Sequence, residues 1–370
     1  MKSKPAISII MPCHNRAYDL CNVLKAYDRQ NVSEAFELIA VDDASSDTTY
    51  QVLTSFRPSR YTLRVERLAE NSGPAAARNL GIQLAKAPLI LIVGDDILPD
   101  ENLLWGHLIA HKQYHDPNIA ILGHISWPDD LPVNTLMTHI DGIGAQQFSY
   151  HYLQDRQVYD FRHFYTANVS LKKELLDSVD HWFDTDFHYA AFEDAELAYR
   201  LSKRGMRIFY LAPLVGYHYH YHNIYTFSKR QRNAGLMANV LTSKHPRLRY
   251  LFRAQYLRIL KLFRDFKSIY RPYPTELIKQ LEDFSLHLGS FYEWNQNEIL
   301  DQLYLTILDH FYYKGVIEGM AGGSNHEARL SSAHTTRYLL PGLKGFLQEA
   351  EKLSLPTPTG YHPAILEKLV

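Results

Sequence analysis

The chain has little of what holds small secreted or membrane-spanning proteins together. Its 370 residues contain two cysteines, Cys13 and Cys21. That is too few for a disulfide framework, and no Cys-x-x-Cys pair offers a zinc or redox site, which fits a reducing cytoplasm. No stretch approaches the roughly 18–20 apolar residues of a membrane-spanning helix. The segment Met1–Ala6 lacks the apolar core of a secretory signal. Lys and Arg number 39 against 40 Asp and Glu, so net charge gives no pull toward nucleic acid or anionic membrane. No repeat or low-complexity tract stands out. The loop Pro12-Cys13-His14-Asn15-Arg16 after the first apolar run has no glycine, although a nucleotidyltransferase would want a glycine-rich, basic loop there to hold a triphosphate.

What remains is an ordinary globular composition, 46% hydrophobic, enough for one large domain or two modest ones. The 26 Tyr and 19 His are many; Tyr suits sugar stacking and equally an ordinary core or surface. Strand-like and helix-like segments alternate. Strands are expected at 6–11, 36–41, 61–68, 89–93, 119–125, 165–171 and 207–211. Helices are expected at 16–29, 48–55, 73–84, 101–115 and 193–203. Alternation of this kind predicts an α/β fold with a doubly wound, mainly parallel sheet. Residues 126–163 are rich in loop formers and have no assigned element. From about 226 the period turns helical, clearest over Thr275–Leu288, Asn297–Lys314 and Leu343–Leu353. The expected division is a catalytic domain over 1–225 and a mostly helical region over 226–370.

Three acidic stretches carry the chemistry. Asp42-Asp43 follows the apolar run 36–41, Asp95-Asp96 follows 89–93, and Glu193-Asp194 opens a helix. In open α/β sheets ligands bind beyond the carboxyl ends of strands. Carboxylates there meet a metal, a ribose hydroxyl or a base, because burying unpaired charge is costly. Each pair also has a plainer reading, as turn or helix-capping carboxylates.

The order PCHNR, VDDASSDTT, ENSGPAAARN, VGDD and FEDAELAYRL, over roughly residues 6–222, resembles glycosyltransferase family 2 with its GT-A fold. The resemblance implies an inverting transfer of a sugar from a nucleotide diphosphate donor, most often a UDP-sugar. The acceptor would be a hydroxyl of a saccharide or lipid-linked saccharide, as in polysaccharide or glycoconjugate synthesis. It places Pro12, Asn15 and Arg16 at the donor, Asp43 with Asp42 beside it on the nucleobase, Arg78 near the base, and Asn168 and Trp182 near a sugar. It assigns Asp194 as general base and Glu193 as its support or an acceptor ligand. The family's metal motif is commonly Asp-x-Asp, and here Val93 stands in its first place. By position Asp95 is the first choice for holding Mn²⁺ or Mg²⁺, with Asp96 as a second ligand, a ribose ligand or a loop former. The run Tyr217–His222 alternates Tyr and His, which on a strand points its histidines to one face. The resemblance favours His218, then His220, as a further metal ligand.

The segment Lys244–Arg271 interleaves basic and apolar residues. It reads either as a helix docked on the protein with a basic outer face or as a peripheral membrane contact. The expectation is therefore a cytoplasmic protein, peripheral at the inner face of the membrane in the second case, without nucleic acid as a partner, and a candidate homo-oligomer. Two alternatives stand beside it: a nucleotidyltransferase, and a catalytically impaired scaffold in which the altered metal motif reflects lost activity.

Overall fold

The computed structural model describes residues 4–143, 146–250, 274–321, 331–356 and 358. It divides into two compact units, Met1–Pro132 with Phe148–His220, and Val133–Gln147 with Tyr221–Val370.

In the first unit the elements run β1 (Ile7–Cys13), α1 (Leu20–Asp28), β2 (Phe36–Asp42), α2 (Thr49–Ser55), β3 (Thr62–Arg67), α3 (Pro74–Leu84), β4 (Leu89–Val93), β5 (Ile97–Pro99), α4 (Leu103–Gln113) and β6 (Ile119–Ser126). Helix α5 (Thr135–Ile143) belongs to the second unit. The first unit resumes with β7 (Val158–Tyr159), β8 (Asn168–Lys172), α6 (Lys173–Leu176), α7 (Glu193–Ser202) and β9 (Arg207–His218). Among the described residues one nine-stranded sheet runs β3-β2-β1-β4-β8-β6-β9-β5, with β7 on β9. Strands β3, β2, β1 and β4 pair in parallel, as do β6 and β9, while β8 lies antiparallel between β4 and β6.

Both faces of the sheet are covered, as the near-continuous apolar strands require. Ile9, Met11, Leu38, Ala40 and Leu91 pack with Leu20 and Leu24 of α1 and Leu103 and Leu104 of α4. Their neighbours Ile10, Ile39, Val41, Ile90 and Ile92 pack with Ala75 and Ala77 of α3 and Leu197 and Leu201 of α7. This is the α/β, doubly wound architecture expected from the alternation. Strand β9 corrects the reading of 207–211 as a separate short strand. It continues to His218 because Ala212–Leu214 bulge out between the Leu211–Gly123 and Val215–His124 pairs, leaving Pro213 where no ladder bond is needed.

The second unit is helical: α5, α8 (Ile224–Lys244), α9 (Thr275–Phe291), α10 (Ile299–Ala321) and α11 (Leu340–Lys352). Its core joins Leu136 and Ile140 with Ile224, Phe227, Leu288, Leu303, Ile307, Leu343 and Phe346. Helices α8 and α10 meet backbone to backbone: a Cβ on Gly235 would lie 2.0 Å from the Tyr312 carbonyl oxygen, and one on Gly315 1.9 Å from that of Arg232. Gly319 lies within α10. No helix of the described residues is long and apolar enough to cross a membrane. Of the basic segment 244–271, residues 251–271 lie outside the described residues, and with them the membrane-contact reading.

Candidate functional site

The carboxyl ends of β1 and β2 lie side by side, Pro12 opposite Val41 and Cys13 opposite Asp42. The loops that follow turn sharply, with Asn15 at φ 52° and Ala44 at φ 50°, a left-handed conformation that Asn adopts more readily than Ala. Asn15 ties the loops together: its backbone N–H donates to Ser45 Oγ (2.9 Å), and its side-chain oxygen accepts from the Ser46 N–H (2.8 Å). Asp43 accepts from the N–H groups of Ser72 (2.7 Å) and Gly73 (2.9 Å), so it anchors the start of α3. Gly73 is required there. It sits at φ 85°, and a Cβ would lie 2.8 Å from the His188 carbonyl oxygen, in the chain leading to α7.

The turn after β4 carries Asp95 and Asp96. Arg16 spans them, Nε 3.4 Å from Asp95 Oδ1 and Nη2 3.1 Å from Asp96 Oδ2. Asp95 also accepts the His14 N–H (3.1 Å), and the His14 Nδ1 lies 2.8 Å from the Asp43 carbonyl oxygen. Asp96 faces the end of β9. Its Oδ2 is 3.4 Å from His218 Nε2 and 3.0 Å from His220 Nδ1, and its carbonyl accepts the Tyr219 N–H. The two carboxyls separate in basicity. Burial and then the neighbouring Asp96 push Asp95 up to about 7. Burial also acts on Asp96, but His218, His220 and Arg16 hold it well below the usual carboxylate range. A carboxylate flanked by two imidazoles is a donor set that suits Mn²⁺ better than Mg²⁺, which prefers oxygen alone. Arg16 touches the same oxygen and is the group a cation there competes with.

Helix α7 presents the third acidic pair. The chain enters it through Phe192 at φ 67°, a backbone strain of roughly 1–3 kcal/mol that tends to collect at functional positions. Glu193 is buried and accepts from Arg78 Nη1 at 2.6 Å, and the Arg78 guanidinium lies over the Phe183 ring at 5.2 Å. Asp194 accepts its neighbour Ala195's N–H (2.7 Å). Burial, and then the charge of Glu193, raise Asp194 to about 7, against the pull of Arg78. A carboxyl that titrates near neutrality is poised to exchange a proton.

The sequence-expected residues therefore fall into three groups. Asp95, Asp96, Arg16 and His218 meet in one cluster, to which Asn15 and Asp43 are joined through the β1 and β2 loops. Arg78, Glu193 and Asp194 form a second cluster, and α3 links the two, since it begins at Asp43 and carries Arg78. Three residues stand elsewhere. Asp42 is fully buried and engaged by Arg67 Nε (3.2 Å). Asn168 is fully buried, accepting from His107 Nε2 (2.9 Å) and donating to the Leu214 carbonyl (2.9 Å); it braces the bulge of β9. Trp182 is half-buried against the core, and its carbonyl is held by Arg200. Arg78 is paired through Nη1 with Glu193.

Sequence reasoning missed several partners. His14 was visible within its motif but had no assigned role. Arg67, on the edge strand β3, gave no signal as the counter-ion of Asp42. Trp127 stacks on His218, ring centroids 5.2 Å apart at 10°, and lies in the stretch that the loop-forming residues left without an element.

The family model "Glycosyl transferase family 2" matches residues 8–179. Among curated proteins, the chain is 25% identical over 274 residues to the hyaluronan synthase of Pasteurella multocida, covering 67% of this chain and 28% of that one. It is 28% identical over 229 residues to the validoxylamine A glucosyltransferase of Streptomyces hygroscopicus subsp. jinggangensis, covering 55% and 52%. The matches thus span about half or less of these relatives' own lengths. Among solved structures, TarS 1–349 of S. aureus in complex with UDP is 15% identical, covers 86% of this chain and 92% of that one, and superposes with a TM-score of 0.49.

Proposed function

We propose, for a chain whose residues 8–179 match the glycosyl transferase family 2 model, that it moves a sugar from a nucleotide diphosphate donor, a UDP-sugar first, to a hydroxyl of a saccharide or lipid-linked saccharide. The transfer is inverting and depends on a divalent cation. The observation that carries the reading is Asp194, a carboxyl raised to about 7 at the mouth of a strained helix start and steadied by the buried Glu193–Arg78 pair. Such a group takes a proton from an attacking hydroxyl near neutral pH. The two curated relatives, named as a hyaluronan synthase and a validoxylamine A glucosyltransferase, support the transfer of a sugar.

In this reading Asp194 accepts the acceptor's proton as the hydroxyl oxygen bonds to the anomeric carbon and the nucleoside diphosphate leaves. One displacement inverts that carbon. On top of its burial, Glu193 pushes the basicity of Asp194 up and Arg78 pulls it down. Asp43 keeps a free lone pair on each oxygen beside the Ser72 and Gly73 bonds, so it can accept a base N–H while holding the loop. Asp96, with His218 and His220, would hold the cation, whose positive charge would offset that building on the departing diphosphate. Asp95, held protonated more readily, steadies the turn through His14 and Arg16. This orders the acidic turn differently from the motif position, which favoured Asp95.

The test is a nucleotide-sugar screen for Mn²⁺-dependent thermal stabilisation, followed by donor turnover. A ligand that binds the folded state raises its melting point as concentration passes the dissociation constant. A UDP-sugar is expected to do so. No shift with any UDP-, GDP- or dTDP-sugar would remove the donor assignment.

A further inference from the structure

The helical unit holds a cavity of about 260 Å³ lined, among others, by Thr138, His139, Trp294, Gln296, Asn297 and Asp301. It is smaller than the roughly 300–1,000 Å³ of drug-sized sites, room for a single sugar ring and part of the next. Its rim is unusual for a protein surface. Trp294 is 62% exposed, a large apolar side chain with most of its area in water. It lies near-parallel to the ring of Tyr221, itself 40% exposed, at 6.5 Å between centroids.

The floor is rigid. Thr135 Oγ1 donates to the carbonyl of Glu293 (2.6 Å) and lies 3.1 Å from the Tyr304 hydroxyl. Asn134 is locked to the His222 carbonyl (2.9 Å) and the Met137 N–H (2.8 Å). His139 holds Asp301 Oδ1 through Nδ1 at 2.6 Å, and its buried Nε2 has no hydrogen-bond partner among the described residues. Asp301 is half-exposed, and Asn297 accepts the Ile299 N–H through its side-chain oxygen, leaving its amide NH₂ for another partner.

The lining contains no Lys or Arg. With Asp301 present, a phosphate or nucleotide is disfavoured, and the density of polar groups disfavours a purely apolar ligand. A flat aromatic ring beside side-chain amides and a carboxylate matches a pyranose, whose C–H face packs on an aromatic and whose vicinal hydroxyls need planar acceptors and donors. We infer that this cavity is a saccharide-binding subsite of the helical unit, holding a neutral pyranose of a glycan chain on Trp294 with Asp301 and Asn297 on its hydroxyls. It goes beyond the transfer reaction, because it needs neither the cation nor the nucleotide.

The test titrates the full chain with neutral tetrasaccharides (of glucose in α-1,4 and β-1,4 linkage, and of N-acetylglucosamine), read by tryptophan fluorescence and calorimetry without nucleotide or metal. Binding by at least one is expected, weakened about 10–30-fold by Trp294→Ala, as truncation of a buried-on-binding Trp costs. Trp294→Phe is expected to recover most of it and Asp301→Asn to weaken it. The nucleotide-sugar melting shift should be the same in all three variants. No binding of any tetrasaccharide up to millimolar concentration overturns the subsite. Binding that Trp294→Ala leaves unchanged in a variant of normal melting point overturns it as well. Either result leaves the donor reading standing, and loss of the nucleotide-sugar shift in the parent protein counts against that reading alone.

Discussion

Arg78 Nη1 donates to Glu193 Oε1 at 2.6 Å between two buried side chains 115 positions apart in sequence. The pair joins α3 to α7 and fixes the electrostatics of the next residue, Asp194. Burial raises the Asp194 carboxyl most, Glu193 pushes it further up and Arg78 pulls it down.

Changing either partner should therefore move the acid limb of the pH–rate profile in opposite directions. A base works ionised, so transfer should rise with pH through about 7, where Asp194 titrates. Glu193→Gln removes the negative neighbour and should shift that limb to lower pH. Arg78→Gln removes the positive one and should shift it higher. Breaking a buried pair also costs stability, about 3–5 kcal/mol, so both variants should melt earlier. Profiles of kcat for the parent and both variants check the signs; shifts in the same direction would contradict the coupling.

Asp194 carries a stability signature of its own. Its folded-state pKa is raised, so its contribution is fully present below the unfolded value and is lost as pH rises through about 7. Asp194→Asn removes that loss. The variant is expected to be more stable than the parent at pH 8, by on the order of 1–3 kcal/mol, with the gap closing as pH falls toward the unfolded carboxyl value of about 4, as denaturant melts across that range would show.

The first unit was largely legible because its strands are short apolar runs closed by Pro, Gly and Asp, and its helices keep a 3.6 period. What stayed hidden depended on distant partners. Asp42 and Asp43 look alike in sequence, yet Arg67 buries one and the start of α3 engages the other. Asn168 reads as a ligand-facing Asn until the β9 bulge shows which carbonyls it serves. Helix α5 was masked by Pro128, Pro132 and Gly142 around it, and its apolar face has meaning only against the helices of the second unit. Arg16 could be placed near the donor by its motif, but nothing local shows that it spans Asp95 and Asp96.

Metal affinity should distinguish those two aspartates. Asp96 is held well below the usual carboxylate range beside His218 and His220, whereas burial and the charge of Asp96 push Asp95 up to about 7. Asp96→Asn is expected to weaken Mn²⁺ binding about 10–100-fold or more and Asp95→Asn clearly less, with His218→Ala in between. Titration of Mn²⁺ by electron paramagnetic resonance gives the order, and a larger loss in Asp95→Asn would reverse the assignment.

Gly73→Ala tests the link from Asp43 to the loop before α7. The new Cβ meets the His188 carbonyl at 2.8 Å on a backbone at φ 85°, so a loss of roughly 1–3 kcal/mol is expected. Nucleotide affinity should fall with it, because the clash shifts the residue-73 N–H that orients Asp43. Unchanged melting and unchanged affinity would mean the loop yields freely.

The most direct measurement compares parent and Asp194→Asn in two assays under the same conditions: the Mn²⁺-dependent melting shift with a UDP-sugar, and turnover of that sugar. The account predicts an equal melting shift in both proteins and a turnover lower by about 10²–10⁴-fold in the variant. Turnover by Asp194→Asn at the parent's rate would contradict it.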